Sequence, residues 1–315
     1  MSEPTFLGLP DAGSEAQIAV ICAPYDLTST YGKGADMGPQ ALLQASANVE
    51  TWDEEVSVDL ERQGYTVRWP DNRAQFSSLA PEAMAAHMRE LHEEHLARGQ
   101  VTLGLGGEHS VSYGQFAALH ARHPDLAVLQ VDAHLDLRDS YEGSKHNHAC
   151  IARRFLDHHV PLVQAGMRSC SREEAEFVAE RDLTVWWARD IVGRVAWHRE
   201  VLLTLAERPV FITVDLDGLD PAIMPATGTP EPGGLSWFDL TMLLSMVARH
   251  CNVVGADITE LAPHNNSRPS EFLAARLAAK MVAYFWPPQS ASPGTSPGTS
   301  PGTPSGAPSG APSGA

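Results

Sequence analysis

The sequence predicts an α/β fold of three layers, αβα, with helices on both faces of a mostly parallel central sheet. Short, continuously apolar runs recur along the chain, the pattern of strands buried on both faces. Longer segments with helical periodicity separate them, and strand–helix alternation of this kind builds parallel sheets. Several of the apolar runs also end in segments rich in acids and histidine. Those are the carboxyl ends of strands, where open parallel sheets bind ligands.

In chain order, the first expected strand is Ile18–Tyr25 (IAVICAPY). A helix is expected over Pro81–Ala97, then a strand over Val101–Gly106 and a helix over Ser110–Ala121. The apolar run Leu126–Asp132 gives a third strand. A helix over Ala149–His158 leads to a strand over Leu162–Met167. A helix over Arg172–Glu180 follows, then a short strand over Thr184–Ala188 and a helix over Ala196–Glu207. Val210–Asp215 and Val253–Ile258 complete the strands. Helices over Trp237–His250 and Glu271–Phe285 complete the outer layers. Ser236 is placed to cap the first of these two, with Asp239 in its first turn. After Trp286 the chain becomes a Pro/Gly/Ser/Thr/Ala repeat (SPGTSPGTSPGTPSGAPSGAPSGA). It has no apolar residue large enough to offset its ordering entropy. The reading is therefore one catalytic domain over residues 1–286 and a disordered tail over 287–315.

The 315 residues are 43% hydrophobic and 19% charged, ordinary for a globular protein, and carry a formal charge of −17. That balance excludes the basic face of a nucleic-acid binder and favours cations as partners. No apolar run is long enough to span a bilayer, and the first residues lack the pattern of a secretory signal. Cys22, Cys150, Cys170 and Cys251 are scattered, so neither a zinc ribbon nor a disulfide framework is indicated. A reduced, cytoplasmic protein without membrane or nucleic-acid partners is expected.

Four strand ends carry the chemistry: GGEHS (Gly106–Ser110), DAHLD (Asp132–Asp136), DLDGLDP (Asp215–Pro221) and DITELAP (Asp257–Pro263). Folded together, the first three gather His109, Asp132, His134, Asp136, Asp215 and Asp217. Four carboxylates in one pocket repel unless cations sit among them. The donor set has carboxylates and imidazoles but no thiolate, which favours Mn over Zn. Residues i and i+2 point the same way in an extended strand. Asp132 with His134, and Asp215 with Asp217, should then face one site, and Asp136 joins them if the extended form continues.

These segments resemble the ureohydrolase family, which includes arginase, agmatinase and related guanidino-acid hydrolases. The likeness runs from about Ala19 to Phe285 and takes in APYDLTSTYGKGADMGPQALLQAS, VDAHLDLRDSYEG, NHACIARR and VDLDGLDPAIMPATGTPEPGG. It implies an arginase-like fold and two Mn2+ per chain. One ion would lie on His109, Asp132, Asp136 and Asp215, the other on His134, Asp132, Asp215 and Asp217. Glu108, where many members have Asp, is not expected to be a ligand. A metal-bridging hydroxide, aimed by Asp136, would attack a guanidinium carbon. Glu260 would pair with the guanidinium, and His148, rather than the nearby His146, would pass a proton to the leaving amine.

Arginase-type grips for an amino-acid end are absent, with Arg138 and Ser169 at those places. DLRDSYEG and GMRS instead resemble bacterial agmatinases. The implied reaction is agmatine plus water giving putrescine and urea, as part of polyamine biosynthesis, on a small cationic guanidino substrate. Asp139 or Glu142 is a candidate partner for its far ammonium. Guanidinobutyrate is the alternative substrate, with Arg138 as the carboxylate partner, and formiminoglutamate a more distant one. A non-catalytic homologue regulating polyamine enzymes is the alternative from another class. The resemblance also implies a homo-oligomer, a trimer or hexamer.

Overall fold

Residues that are apolar on both faces of a strand need neighbours on both sides. The computed structural model, which describes residues 3–194, 197–264 and 267–288, supplies them. Its strands are β1 (Ile18–Ala23), β2 (Trp52–Asp53), β3 (Val58–Asp59), β4 (Tyr65–Arg68), β5 (Val101–Gly106), β6 (Ala127–Val131), β7 (Leu162–Met167), β8 (Val185–Trp187), β9 (Pro209–Asp215) and β10 (Asn252–Thr259). Eight form one sheet in the order β4-β1-β5-β10-β9-β6-β7-β8, and every pairing in it is parallel. β2 and β3 make a separate antiparallel pair.

The helices are α1 (Gly38–Ser46), α2 (Arg73–Phe76), α3 (Pro81–Ala97), α4 (Ser112–Arg122), α5 (Ile151–Leu156), α6 (Arg172–Arg181), α7 (Ala188–Ile191), α8 (Trp197–Leu205), α9 (Trp237–His250) and α10 (Arg268–Phe285). α8, α9, α10 and α1 pack in succession, as do α3, α4 and α5. The largest core cluster joins sheet residues such as Leu129, Ile212 and Ala256 to Leu240 and Val247 of α9 and to Leu277 of α10. A second joins Val128 and Phe211 to Phe116 of α4 and Phe155 of α5. This is the three-layer α/β architecture that the apolar runs predict.

The seven expected strands are present, β5 and β7 with the expected bounds and the other five with shifted ends. β1 stops at Ala23 because Pro24 cannot donate, and the Tyr25 N–H turns back to the Ala23 carbonyl (2.9 Å). The eighth strand, β4, is an addition: its sequence YTVR mixes polar and apolar residues, two of the four are half-buried, and β1 is the one strand of the sheet it adjoins. Helices α1, α2 and α7 and the β2–β3 pair are also additions to the sequence reading. Ser236 caps α9 reciprocally with Asp239, as expected. Residues 289–315, where the tail is expected, lie outside the described residues. Among the described residues, no helix is long and apolar enough to cross a membrane.

Candidate metal centre and catalytic pocket

The four strands whose ends carry acids and histidines are adjacent in the sheet, in the order β5, β10, β9, β6. The local turns differ from simple strand alternation. Beyond β6, Asp132 Oδ1 accepts the His134 N–H (2.6 Å). Beyond β9, Asp215 Oδ1 accepts the Asp217 N–H (2.8 Å) at the start of a 3-10 turn. Each aspartate thus folds its own loop, the common behaviour of Asp at a turn. The extended form does not continue to Asp136, which sits in the left-handed region (φ 52°). That reversal, not strand alternation, turns Asp136 to the site.

The result brings all six side chains together. His109 Nδ1 lies 3.0 Å from Asp132 Oδ2, 3.2 Å from Asp136 Oδ2 and 3.4 Å from Asp215 Oδ2. His134 Nδ1 lies 3.0 Å from Asp217 Oδ2 and 3.7 Å from Asp132 Oδ1. Two groups have the geometry to hold a metal ion, His109–Asp132–Asp136 and Asp132–His134–Asp217, and they share Asp132. Burial pushes the Asp136 carboxyl up to about 7, with the Asp132 charge adding to it. Burial opposes ionisation of Asp132 as well, but His109 and His134 hold it below the usual carboxylate range.

The fit to a divalent cation rests on His109. Its Nε2 lies 2.9 Å from the Thr213 hydroxyl, while its buried Nδ1 has no hydrogen-bond partner among the described residues. A ring nitrogen facing three carboxylates needs a cation or a proton between them. With Nε2 engaged by Thr213, Nδ1 is the ring nitrogen that could take a cation.

Glu260 follows β10 and also has a left-handed backbone (φ 66°). Its Oε1 accepts the His109 N–H (2.7 Å), and burial raises its pKa well above the usual range, with the Glu108 charge adding to it. Glu108 itself points away from the cluster. Its carboxylate accepts the Thr28 N–H (2.6 Å) and the Ser110 hydroxyl (2.6 Å), so it ties the loop after β1 to the end of β5. Gly107 makes this approach possible, because a Cβ there would stand 1.9 Å from the Tyr25 carbonyl oxygen. Thr28 also accepts the His148 N–H (3.0 Å), and its hydroxyl lies 3.3 Å from His148 Nδ1. Burial pushes His148 down to about 4, so its imidazole is neutral at pH 7.

These side chains line a cavity of about 270 Å³, which His109, His134, Asp136, His148, Asp215, Asp217 and Glu260 share with Tyr31, Arg138, Tyr141 and Glu174. His146 is not among its lining residues and stacks edge-on against Tyr113 instead. Asp139 and Glu142 do not line it either. Asp139 pairs with Arg154 (2.9 Å) and Lys145 (3.1 Å), and Glu142 is exposed, which corrects the expectation that one of them meets the substrate. Thr28, Thr213 and Thr229, whose hydroxyl donates to Asp217 Oδ2 (3.2 Å), were not singled out. Single threonines in loops and strands carry no pattern that would have marked them.

The arginase family model matches residues 16–283. An N(1)-aminopropylagmatine ureohydrolase of Synechocystis is 35% identical over 275 residues, 86% of this chain and 90% of that one. An agmatinase of Bacillus anthracis is 33% identical over 276 residues, 85% and 91% of the two chains. The crystal structure of agmatine ureohydrolase of Thermoplasma volcanium aligns with a TM-score of 0.80 and 31% identity, covering 90% of this chain and 96% of that one. The chain belongs to the arginase family. It is an agmatinase-like ureohydrolase, a hydrolase of guanidino compounds.

Proposed function

We propose that this enzyme hydrolyses the guanidino group of an amine-tailed guanidine with two Mn2+ bound, converting agmatine and water to putrescine and urea. One observation carries the reading: two ligand groups share Asp132 while Glu260 is bonded to the backbone of His109 beside them. His109, Asp132, Asp136 and Asp215 would hold one ion, and His134, Asp132, Asp215 and Asp217 the other. Oxygen and imidazole donors without thiolate suit Mn2+. When bound, a metal pair supplies Lewis acidity and makes water nucleophilic near neutral pH.

The protein's own residues do the rest. Glu260, anchored through Oε1, meets the guanidinium with a charge-assisted hydrogen bond. Asp136 accepts a proton from the attacking water and aims its oxygen at the guanidinium carbon. A C–O bond forms, the C–N bond to the substrate tail breaks, and the water proton ends on the leaving amine, passed by His148. Against the carboxylate-ended alternatives, the charge of Arg138 is already shared with Glu174 at 3.9 Å and with the Tyr141 ring beneath it. A second reading, N(1)-aminopropylagmatine, is favoured by the Synechocystis relative of that name. The reading places the protein in the cytoplasm as a homo-oligomer, a trimer or hexamer.

The test is urea release by the Mn-loaded protein from agmatine, N(1)-aminopropylagmatine, arginine and guanidinobutyrate. Buried polar groups left unpaired cost about 1 to 3 kcal/mol each. Arginine would leave its carboxylate and α-ammonium so, and agmatine should exceed it in kcat/KM by on the order of a hundredfold or more. Equal efficiency on the two would refute the reading, and preference for guanidinobutyrate would make Arg138 a carboxylate clamp.

A further inference from the structure

Two buried glutamines behind the centre are unexplained by hydrophobic patterning. Gln130 lies in β6 and Gln164 in β7, 0% and 1% exposed, and the two are register partners. Gln164 Nε2 donates to Gln130 Oε1 (3.0 Å) and to the Leu135 carbonyl (2.7 Å). Gln130 Nε2 donates to Asp132 Oδ2 (2.7 Å). The bonds run in one direction, from β7 through β6 to the carboxylate that both ligand groups share.

The direction matters because a glutamine amide can present either its oxygen or its NH2 group. Turned the wrong way, Gln130 would set an oxygen against Asp132 Oδ2, acceptor against acceptor. Gln164 decides the matter: its NH2 group takes the Gln130 oxygen toward β7, which leaves the Gln130 NH2 group for Asp132. The other oxygen, Asp132 Oδ1, is fixed by the His134 N–H.

Resting on the ligand role proposed for Asp132, we infer that Gln164 and Gln130 are positioning residues, a two-amide lock that sets the shared carboxylate before metal arrives. Partners of this kind behind a ligand commonly change metal affinity about 10- to 100-fold.

The experiment titrates Mn2+ into metal-stripped full-length protein by calorimetry. Electron paramagnetic resonance follows the coupled ion pair, and thermal melts of the metal-free proteins check folding. Gln164→Leu should weaken Mn2+ binding roughly tenfold or more; it also leaves the Gln130 oxygen and the Leu135 carbonyl without this donor, so the metal-free melt should fall modestly while remaining cooperative. Isosteric Gln164→Glu has at most one proton for the two oxygens that the amide serves, so it should loosen the hold on the Gln130 oxygen and weaken binding as well. If the Leu variant does not fold, the Glu variant carries the test. Because Gln164 acts through Gln130, the Gln130→Leu/Gln164→Leu double variant should bind Mn2+ no worse than Gln130→Leu alone. Wild-type Mn2+ affinity and resonance signal in both Gln164 variants would overturn the lock, as would losses that add independently. Wild-type protein that binds no Mn2+ would overturn the ligand assignment and the lock together.

Discussion

His109 shows how much one residue settles. Its Nε2 is taken by Thr213 and its Nδ1 faces three carboxylates, so the ring is already oriented for the ligand role proposed for it. Asp132 is the residue the two groups share. Asp132→Ala should therefore lose both ions, whereas Asp217→Ala should keep the His109-side ion. Metal analysis after dialysis checks this, and equal retention by the two variants would count against a shared carboxylate. Glu260→Gln keeps the shape but removes the charge proposed to meet the guanidinium. Turnover should fall on the order of a hundredfold or more on every guanidine, with substrate preference little changed. A large change in the agmatine-to-arginine ratio would move Glu260 from the common group to the tail. The acids and histidines of these motifs were readable because their types and spacing are unusual. The means by which they converge were not. A left-handed Asp136 and aspartates that bond their own loops are backbone facts that residue identity only permits.

At the scale of elements, the central strands were legible because burial on both faces demands apolar residues throughout. β4 (YTVR) and the β2–β3 pair (WD and VD) were not, since polar residues interrupt each of them, whereas the three residues of β8 (VWW) are apolar throughout. α3 matches its expected span, yet it hides a feature no periodicity reveals: His92 and His95 are both buried. Burial pushes His92 down to about 3, with His95 contributing. In the unfolded chain a histidine titrates near 6.5. The neutral buried form is thus fully compatible with folding above that value. As pH falls below about 6.5 the unfolded chain takes up a proton that the native state refuses, and stability is lost progressively toward pH 3. Between pH 7 and pH 5 this amounts to about 2 kcal/mol. Denaturant unfolding at the two pH values should show a smaller loss for His92→Gln than for the natural protein. Asp257, pushed up to about 6 by burial, titrates in both proteins and cancels in the difference. Parallel slopes would show that His92 is protonated in the native state.

At the scale of the molecule, the sheet order carries a consequence in time. β10, the last strand in chain order among the described residues, lies between β5 and β9, so the middle of this sheet is made after both of its flanks. Until residues 252–260 insert, the two halves that carry His109 on one side and Asp132 and Asp215 on the other have no strand to join them. Joining them closes a loop of well over a hundred residues, and such distant pairings form slowly. Metal capture should thus mark the end of folding. In refolding from denaturant, the signal of bound Mn2+ should rise with the slowest tryptophan-fluorescence phase, and a chain ending at His250 should not bind the ion pair. Metal bound in the first phase would mean the halves meet without their keystone. A nascent chain built this way should stay inert toward the metal pool of the cell until β10 has been made.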